Sequence, residues 1–279
     1  MYESHFGLQE APFALTPNTR YFLRAPSHAD ALELLLVALG EREGFIKITG
    51  EVGTGKTLLC RLLLNELDGK ACTAYVPNPQ LPPEALYESV AEELEVDLSG
   101  CDNTHQVLKA LNQRLLERAG EGTPVVLVID EAQAMPEQTL EALRLLTNLE
   151  TERSKLLQVV LFGQPELNVL LARDSLRQLR QRITFQYHLA PLDGGSVAQY
   201  LRHRLSQAGY NGSDLFAPAA LRLIARSSGG IPRLVNVLAH KGLLAAWGQG
   251  ARQVSRQHVW QAIRDTDSVR RPGLLGRWL

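Results

Sequence analysis

The chain has 279 residues, room for one large domain and a small one, and at 45% hydrophobic and 21% charged it has the make-up of a globular protein in water. No apolar run is long enough to span a bilayer, the N-terminus MYESHFGLQEAPF has no basic stretch followed by an apolar core, and three cysteines (Cys60, Cys72, Cys101) at unrelated spacings make neither a disulfide framework nor a zinc site. The net charge of −1 hides an asymmetry: residues 173–279 carry 16 basic against five acidic side chains (+11), and residues 1–172 carry 13 against 25 (−12). Solvated helix faces account for this, or else a surface for phosphates, nucleic acid or the acidic half of another copy. A reducing cytoplasm is the expected setting.

Residues 1–28 read as mixed loop, because Pro12, Pro17 and Pro26 interrupt any helix. The run PFALTPNTRYFL supplies aromatics either for an adenine base or for packing the N-terminus onto a sheet. Ser27 is predicted to cap a helix over 28–39. Residues 45–49 read as a short buried strand, and a helix with a wide apolar face follows from Leu58. Between them Gly50-Glu51-Val52-Gly53-Thr54-Gly55-Lys56-Thr57 fits G-x-x-x-x-G-K-[ST] at every fixed position. Glycines at 50, 53 and 55 let the backbone curl with its N–H groups inward, and the helix start adds positive potential. Such a loop cradles phosphate. Lys56 then reaches the β- and γ-phosphates and the Thr57 hydroxyl ligates Mg²⁺.

Residues 71–76 read as a second strand, ended by Pro77 and Pro79, with helices over 84–94 and 104–118 after it. Val125 to Ile129 is an unbroken apolar run ending in Asp130-Glu131, the form of a central parallel strand whose tip carries carboxylates. This is a Walker B pattern. Asp130 would hold Mg²⁺ through its water shell and Glu131 would orient the attacking water. Met135-Pro136 starts a helix through about 150, with Leu140, Leu143, Leu146 and Leu149 on its apolar face. Residues 156–162 form another apolar strand, ended by Gly163-Gln164-Pro165. Gln164 either touches the γ-phosphate or the attacking water, or caps the next helix. A short Arg-rich helix over 173–181 and a strand over 183–189 follow.

Beyond Pro191 the pattern is helical: 195–208, 218–227, 231–247 and 255–265, divided by Gly209, Gly229-Gly230 and Gly248 with Gly250. The expected division is an α/β nucleotide-binding domain over 1–189, a helical lid over 190–268 and a tail over 269–279. The tail, with its Trp278, is read as a free end or as a contact for a partner or a membrane surface.

Five strands with intervening helices, the phosphate loop after the first and the carboxylates after the third, make a doubly wound P-loop domain. The appended helical bundle narrows this to the AAA+ superfamily. In order, GEVGTGKT, VVLVIDEAQ, VVLFGQPEL, LRQLRQRI, YHLAPLD and SGGIPRLVN resemble the ExeA/GspA-type secretion ATPases, and within them the MshM-type branch of mannose-sensitive haemagglutinin pilus biogenesis. The resemblance runs over about residues 2–267, and GQPEL and GIPR are more family-specific than the phosphate loop. Larger members continue into a membrane span and a periplasmic peptidoglycan-binding region. This chain stops at 279 without either, as expected of the shorter pilus-type member.

The resemblance implies an ATP/ADP site formed by Gly50, Glu51, Val52, Gly53, Thr54, Gly55, Lys56, Thr57 and Leu58. It makes Asp130 the magnesium residue, Glu131 the catalytic base, and Gln164 the polar sensor at the end of the fourth strand. Arg182 falls in the region that supplies an arginine finger, with Arg180 and Arg177 as rivals, and Arg233 matches the lid arginine that senses the γ-phosphate. The function so implied is Mg²⁺-dependent ATP hydrolysis by a homo-oligomer. It would serve assembly of a type IV pilus or secretion apparatus from the cytoplasmic side of the inner membrane, with weak nucleic-acid binding at most. The alternatives are a DNA-handling ATPase of the origin-recognition or transposition-helper type, and a nucleotide-gated adaptor with little turnover. A helicase is disfavoured, since no second RecA-like domain follows DEAQ.

Overall fold

The computed structural model describes residues 1–147 and 155–271. They form two compact units: His28–Gly50 with Lys56–Leu189, and Met1–Ser27 with Glu51–Gly55 and the chain from Ala190 onward. In chain order the elements begin with α1 (Glu3–Phe6), α2 (Pro26–Gly40), β1 (Phe45–Gly50), α3 (Lys56–Leu67) and β2 (Cys72–Val76). Next come α4 (Pro83–Glu93), α5 (Thr104–Gly120), β3 (Val125–Ile129), α6 (Glu137–Leu146) and β4 (Gln158–Gly163). The chain continues through α7 (Glu166–Leu171), α8 (Arg177–Arg182) and β5 (Ile183–Leu189). It then runs through α9 (Gly194–Gln207), α10 (Pro218–Ser228), α11 (Pro232–Gly248) and α12 (Arg256–Arg264).

The first unit is built on a five-stranded sheet, parallel throughout, in the order β2-β3-β4-β1-β5. Its three central strands are buried at every position; β3 and most of β4 therefore read as continuous apolar runs, while β1 buries Lys47 and Thr49 among its apolar residues. Ile46, Ile48, Val126, Val128, Val160 and Phe162 pack on one face with Leu35 of α2 and Leu59 and Leu63 of α3. Phe45, Leu127, Ile129, Val159 and Leu161 pack on the other with Leu111, Leu115, Leu140 and Leu143. Each such side chain stabilises the fold by about 1.5–3 kcal/mol relative to exposure. The register sets Thr49 beside Gly163 and Ile129 beside Leu161, so the C-terminal ends of β1, β3 and β4 lie together. In an open parallel sheet that end carries the site.

The helix expected from Met135 opens later, at Glu137, after a 3-10 turn over Ala132–Ala134. Leu149 of its expected apolar face lies outside the described residues. Ser27 was expected before its helix. It stands inside the first turn instead, because the helix starts at Pro26, and its hydroxyl accepts the Ala190 N–H at 3.0 Å.

The second unit corrects the expected domain division. Residues 1–27, assigned by sequence to the sheet domain and read as loop, contain α1 and a 3-10 turn over Thr19–Tyr21. Their Tyr2, Phe6, Phe13 and Tyr21 are buried in one core with Leu201, Leu238, Leu243 and Val259 of the C-terminal helices. Phe13 and Tyr21 therefore pack with helices. Arg204 of α9 fastens them: it donates to Pro12 O (2.6 Å), Ala14 O (3.3 Å) and Tyr200 Oη (2.9 Å), and its guanidinium lies 4.7 Å over the Tyr21 ring. The Tyr2 hydroxyl meets His240 Nδ1 at 2.9 Å. At the other end, Val269 is buried in this core and the Arg270 N–H donates to Ser227 O at 2.9 Å, so the expected tail does not start at 269. Residues 272–279, with Trp278, lie outside the described residues. Among the described residues no helix is long and apolar enough to cross a membrane.

Candidate active site

Gly50 closes β1 and Lys56 opens α3, and five residues turn between them. Gly53 (φ +82°) and Gly55 (φ +104°) occupy the left-handed region that glycine enters without steric cost. The Thr54 N–H and hydroxyl both donate to Glu51 O, at 3.2 and 2.8 Å, which tightens the loop. Thr54 is fully buried, whereas Val52 is 55% exposed at the tip. Lys56 is buried and donates to Gly50 O at 2.7 Å, which holds its ammonium back against the loop's own backbone. The N–H groups of the first turn of α3 add a positive end.

Thr57, in the first turn of α3, donates to Asp130 Oδ2 at 2.7 Å. Asp130 follows β3 directly. Its own N–H bonds to Val76 O, and its Oδ1 accepts the Glu131 N–H at 2.9 Å. Burial lifts the Asp130 carboxyl above the ordinary aspartate range, against the opposing pull of the bonds from Thr57 and Glu131. A hydroxyl and a carboxylate are hard oxygen donors of the kind magnesium takes. Among the described residues no group of three or more His, Cys, Asp and Glu side chains stands ready to hold an ion. A magnesium ion held by Thr57 and Asp130 would therefore draw its other ligands from phosphate oxygens and water.

Glu131 is in the left-handed region (φ +51°, ψ +37°), which is uncommon for a residue with a side chain and costs about 1–3 kcal/mol. That turn brings its carboxylate back to the end of β4. Glu131 Oε2 accepts from Gln133 Nε2 at 2.5 Å and from Gln164 Nε2 at 3.1 Å, and Gln133 Oε1 accepts the Gln164 N–H at 2.9 Å. Gln164 thus acts on the glutamate. The cap of α7 comes from its backbone, Gln164 O accepting the Leu167 N–H. Gln133 was not singled out from the sequence. The only signal for it was its place in the DEAQ run, two residues past the paired carboxylates. Gly163 keeps the joint open, since a Cβ there would stand 2.7 Å from Leu167 Cδ2 and 3.3 Å from Gln133 Oε1.

Arg182 ends α8, half-buried, with one guanidinium N–H on Thr147 Oγ1 at 3.3 Å. Its rivals Arg177 and Arg180 are exposed. In the second unit the Arg233 N–H, in the first turn of α11, donates to Gly53 O at 3.2 Å, and the Arg233 side chain is exposed. The preceding glycine explains the GIPR stretch. Gly230 has φ +76°, its carbonyl accepts the Leu192 N–H at 2.9 Å, and a Cβ on it would lie 1.9 Å from Leu192 O.

Residues 39–171 match the AAA domain family (AAA_22). The chain is 40% identical over 273 residues to general secretion pathway protein A of Aeromonas hydrophila, covering 98% of this chain and 50% of that protein. It is 25% identical over 254 residues to an ORC1-type DNA replication protein of Thermococcus kodakarensis, covering 82% and 58%. The chain thus spans about half the length of the curated relatives it matches. Its fold is similar to the Aeropyrum pernix ORC2 protein in its ADPNP–ADP complexes, with a TM-score of 0.68 at 16% identity over 95% of this chain and 73% of the other. The fold is that of a P-loop AAA+ ATPase, with a five-stranded parallel sheet and a C-terminal helical region.

Proposed function

We propose that this chain binds ATP with Mg²⁺ and hydrolyses it, and that it serves assembly of a secretion apparatus or a type IV, MSHA-like pilus at the bacterial inner membrane. One observation carries the hydrolytic part. Thr57, Asp130, Glu131 and Gln164 converge at the ends of neighbouring parallel strands, directly after a phosphate-binding loop. Lys56 leaves Gly50 O for the β- and γ-phosphates. Glu131 orients water for in-line attack, and Gln164 and Gln133 fix the carboxylate that does so. Magnesium, when bound, neutralises phosphate charge. Arg233, and Arg182 of a neighbouring copy, would stabilise the charge that develops in the transition state.

The secretion part rests on the 40% identity to general secretion pathway protein A along nearly the whole chain. The pilus branch rests on the resemblance of the motif series. The working place would be the cytoplasmic side of the inner membrane. A DNA-handling role is the second reading, favoured by the similarity to ORC1-type replication proteins and by the +11 of residues 173–279.

The test is a titration with a fluorescent ATP analogue alongside turnover. Lys56→Ala is expected to lose binding. Glu131→Gln is expected to keep it while turnover falls about 10²-fold or more. Equal loss of binding in both would remove Glu131 from the catalytic role. Anisotropy with duplex DNA separates the two process readings: weak, steeply salt-dependent binding suits the first, and tight binding at physiological salt would give the second.

A further inference from the structure

The face of the sheet that carries Lys47 holds a cavity of about 300 Å³, lined by Lys47, Asn168, Arg180, Thr184 and Gln186 with two apolar side chains. Lys47 is the middle of β1, between Leu161 of β4 and Gln186 of β5, and it is only 8% exposed. A lysine that deep inside a parallel sheet is rare unless paired with a counter-charge. Here its hydrogen bond goes to an amide, Asn168 Oδ1, at 2.6 Å. Among the described residues neither Lys47 nor Arg180 makes an ion pair, and no carboxylate lines the cavity. The nearby Glu43 is engaged by the Thr184 hydroxyl at 2.8 Å. Among the described residues Arg180 donates to Ala172 O, at 3.5 Å. Burial alone weakens the hold of Lys47 on its proton, as expected where no anion offsets desolvation.

We propose that this cavity is an oxyanion site that takes a phosphate-class anion, inorganic phosphate or a phosphomonoester, on Lys47 and Arg180. Two cations line it from β1 and α8, together with the amides of Asn168 and Gln186, while the Thr184 hydroxyl is already given to Glu43. That many donors exceed what the two oxygens of a single carboxylate use, and suit four tetrahedral oxygens. The site is separate from the phosphate loop. Lys47 stands three residues before Gly50, about 10 Å back along the strand.

The experiment is equilibrium dialysis with radiolabelled inorganic phosphate in a Lys56→Ala background, which silences the phosphate loop. That protein is expected to bind one phosphate per chain. Adding Lys47→Met should abolish this binding, and adding Arg180→Gln should weaken it at least tenfold. Arg180 is exposed, so its substitution leaves the fold intact and decides the matter if circular dichroism shows that Lys47→Met misfolds. The proposal is overturned if the Lys56→Ala chain binds no phosphate, or if neither added substitution changes the affinity. Failure of the ATP reading is seen separately, as ATP binding that survives Lys56→Ala.

Discussion

Asp130 stands in a conflict between stability and chemistry. It is 3% exposed, and burial raises its folded pKa above the unfolded value near 3.8. The folded chain therefore takes up the proton more readily, and stability is lost as the pH rises through that raised pKa. Asp130→Asn is accordingly expected to melt at a higher temperature than the parent at pH 7, with the gap closing toward pH 4. Melting curves at the two pH values check this, and an equal or lower melting temperature at pH 7 would contradict it. Gln133 gives a second expectation. Gln133→Ala removes one of two amide donors from Glu131, and displacement of such a group by about 1 Å is worth about 10²-fold. Turnover should fall by that order with nucleotide affinity unchanged, as read by kcat against a binding titration. The types and spacing of Lys56, Thr57, Asp130 and Glu131 were legible in the sequence because each stands at a strand tip or in the helix turn that directly follows the loop. The Gln133 bridge was not, because it depends on the left-handed backbone of Glu131, which no periodicity reports.

At the scale of elements, the strands were the most readable part. A strand buried on both faces is mostly apolar, so β3 and β4 announce themselves, and β5 alternates because it is an edge. Helix starts were less clear. The turn after Glu131 delays α6 to Glu137, and Pro26 sits inside a first turn that tolerates proline. The joint between Leu192 and Gly230 is the sharpest structural demand in the helical unit. Gly230→Ala places a methyl 1.9 Å from a carbonyl oxygen at a positive φ, so both strain and a lost bond follow. A loss of about 2 kcal/mol or more is expected in urea unfolding. Gly229→Ala, with no neighbouring atom nearer than 3.6 Å, should cost only its own left-handed strain and serves as the control.

At the scale of the whole molecule, the opposed charges of residues 1–172 and 173–279 suit a head-to-tail association, in which one copy's surface meets a different surface of the next. If Arg182 acts on a neighbour's nucleotide, Arg182→Ala and Glu131→Gln chains, each nearly inactive, should partly restore ATP hydrolysis when mixed, and specific activity should rise with protein concentration. A mixture that stays inactive would assign Arg182 to its Thr147 contact alone. The place of residues 1–27 was not legible, since the partners of Tyr2 and Phe13 lie some 200 residues away in the chain. Their burial with α9 to α12 has a consequence for synthesis. This segment must wait for partners made much later in the chain: Tyr2 is joined to His240, 238 positions on. At about 5–20 residues per second it waits roughly 12–48 s with its aromatics exposed. The sheet unit, whose last strand ends at Leu189, is complete well before then. The nascent chain therefore carries a finished sheet unit behind a segment of still unburied aromatics, and this is the interval in which a chaperone has something to hold.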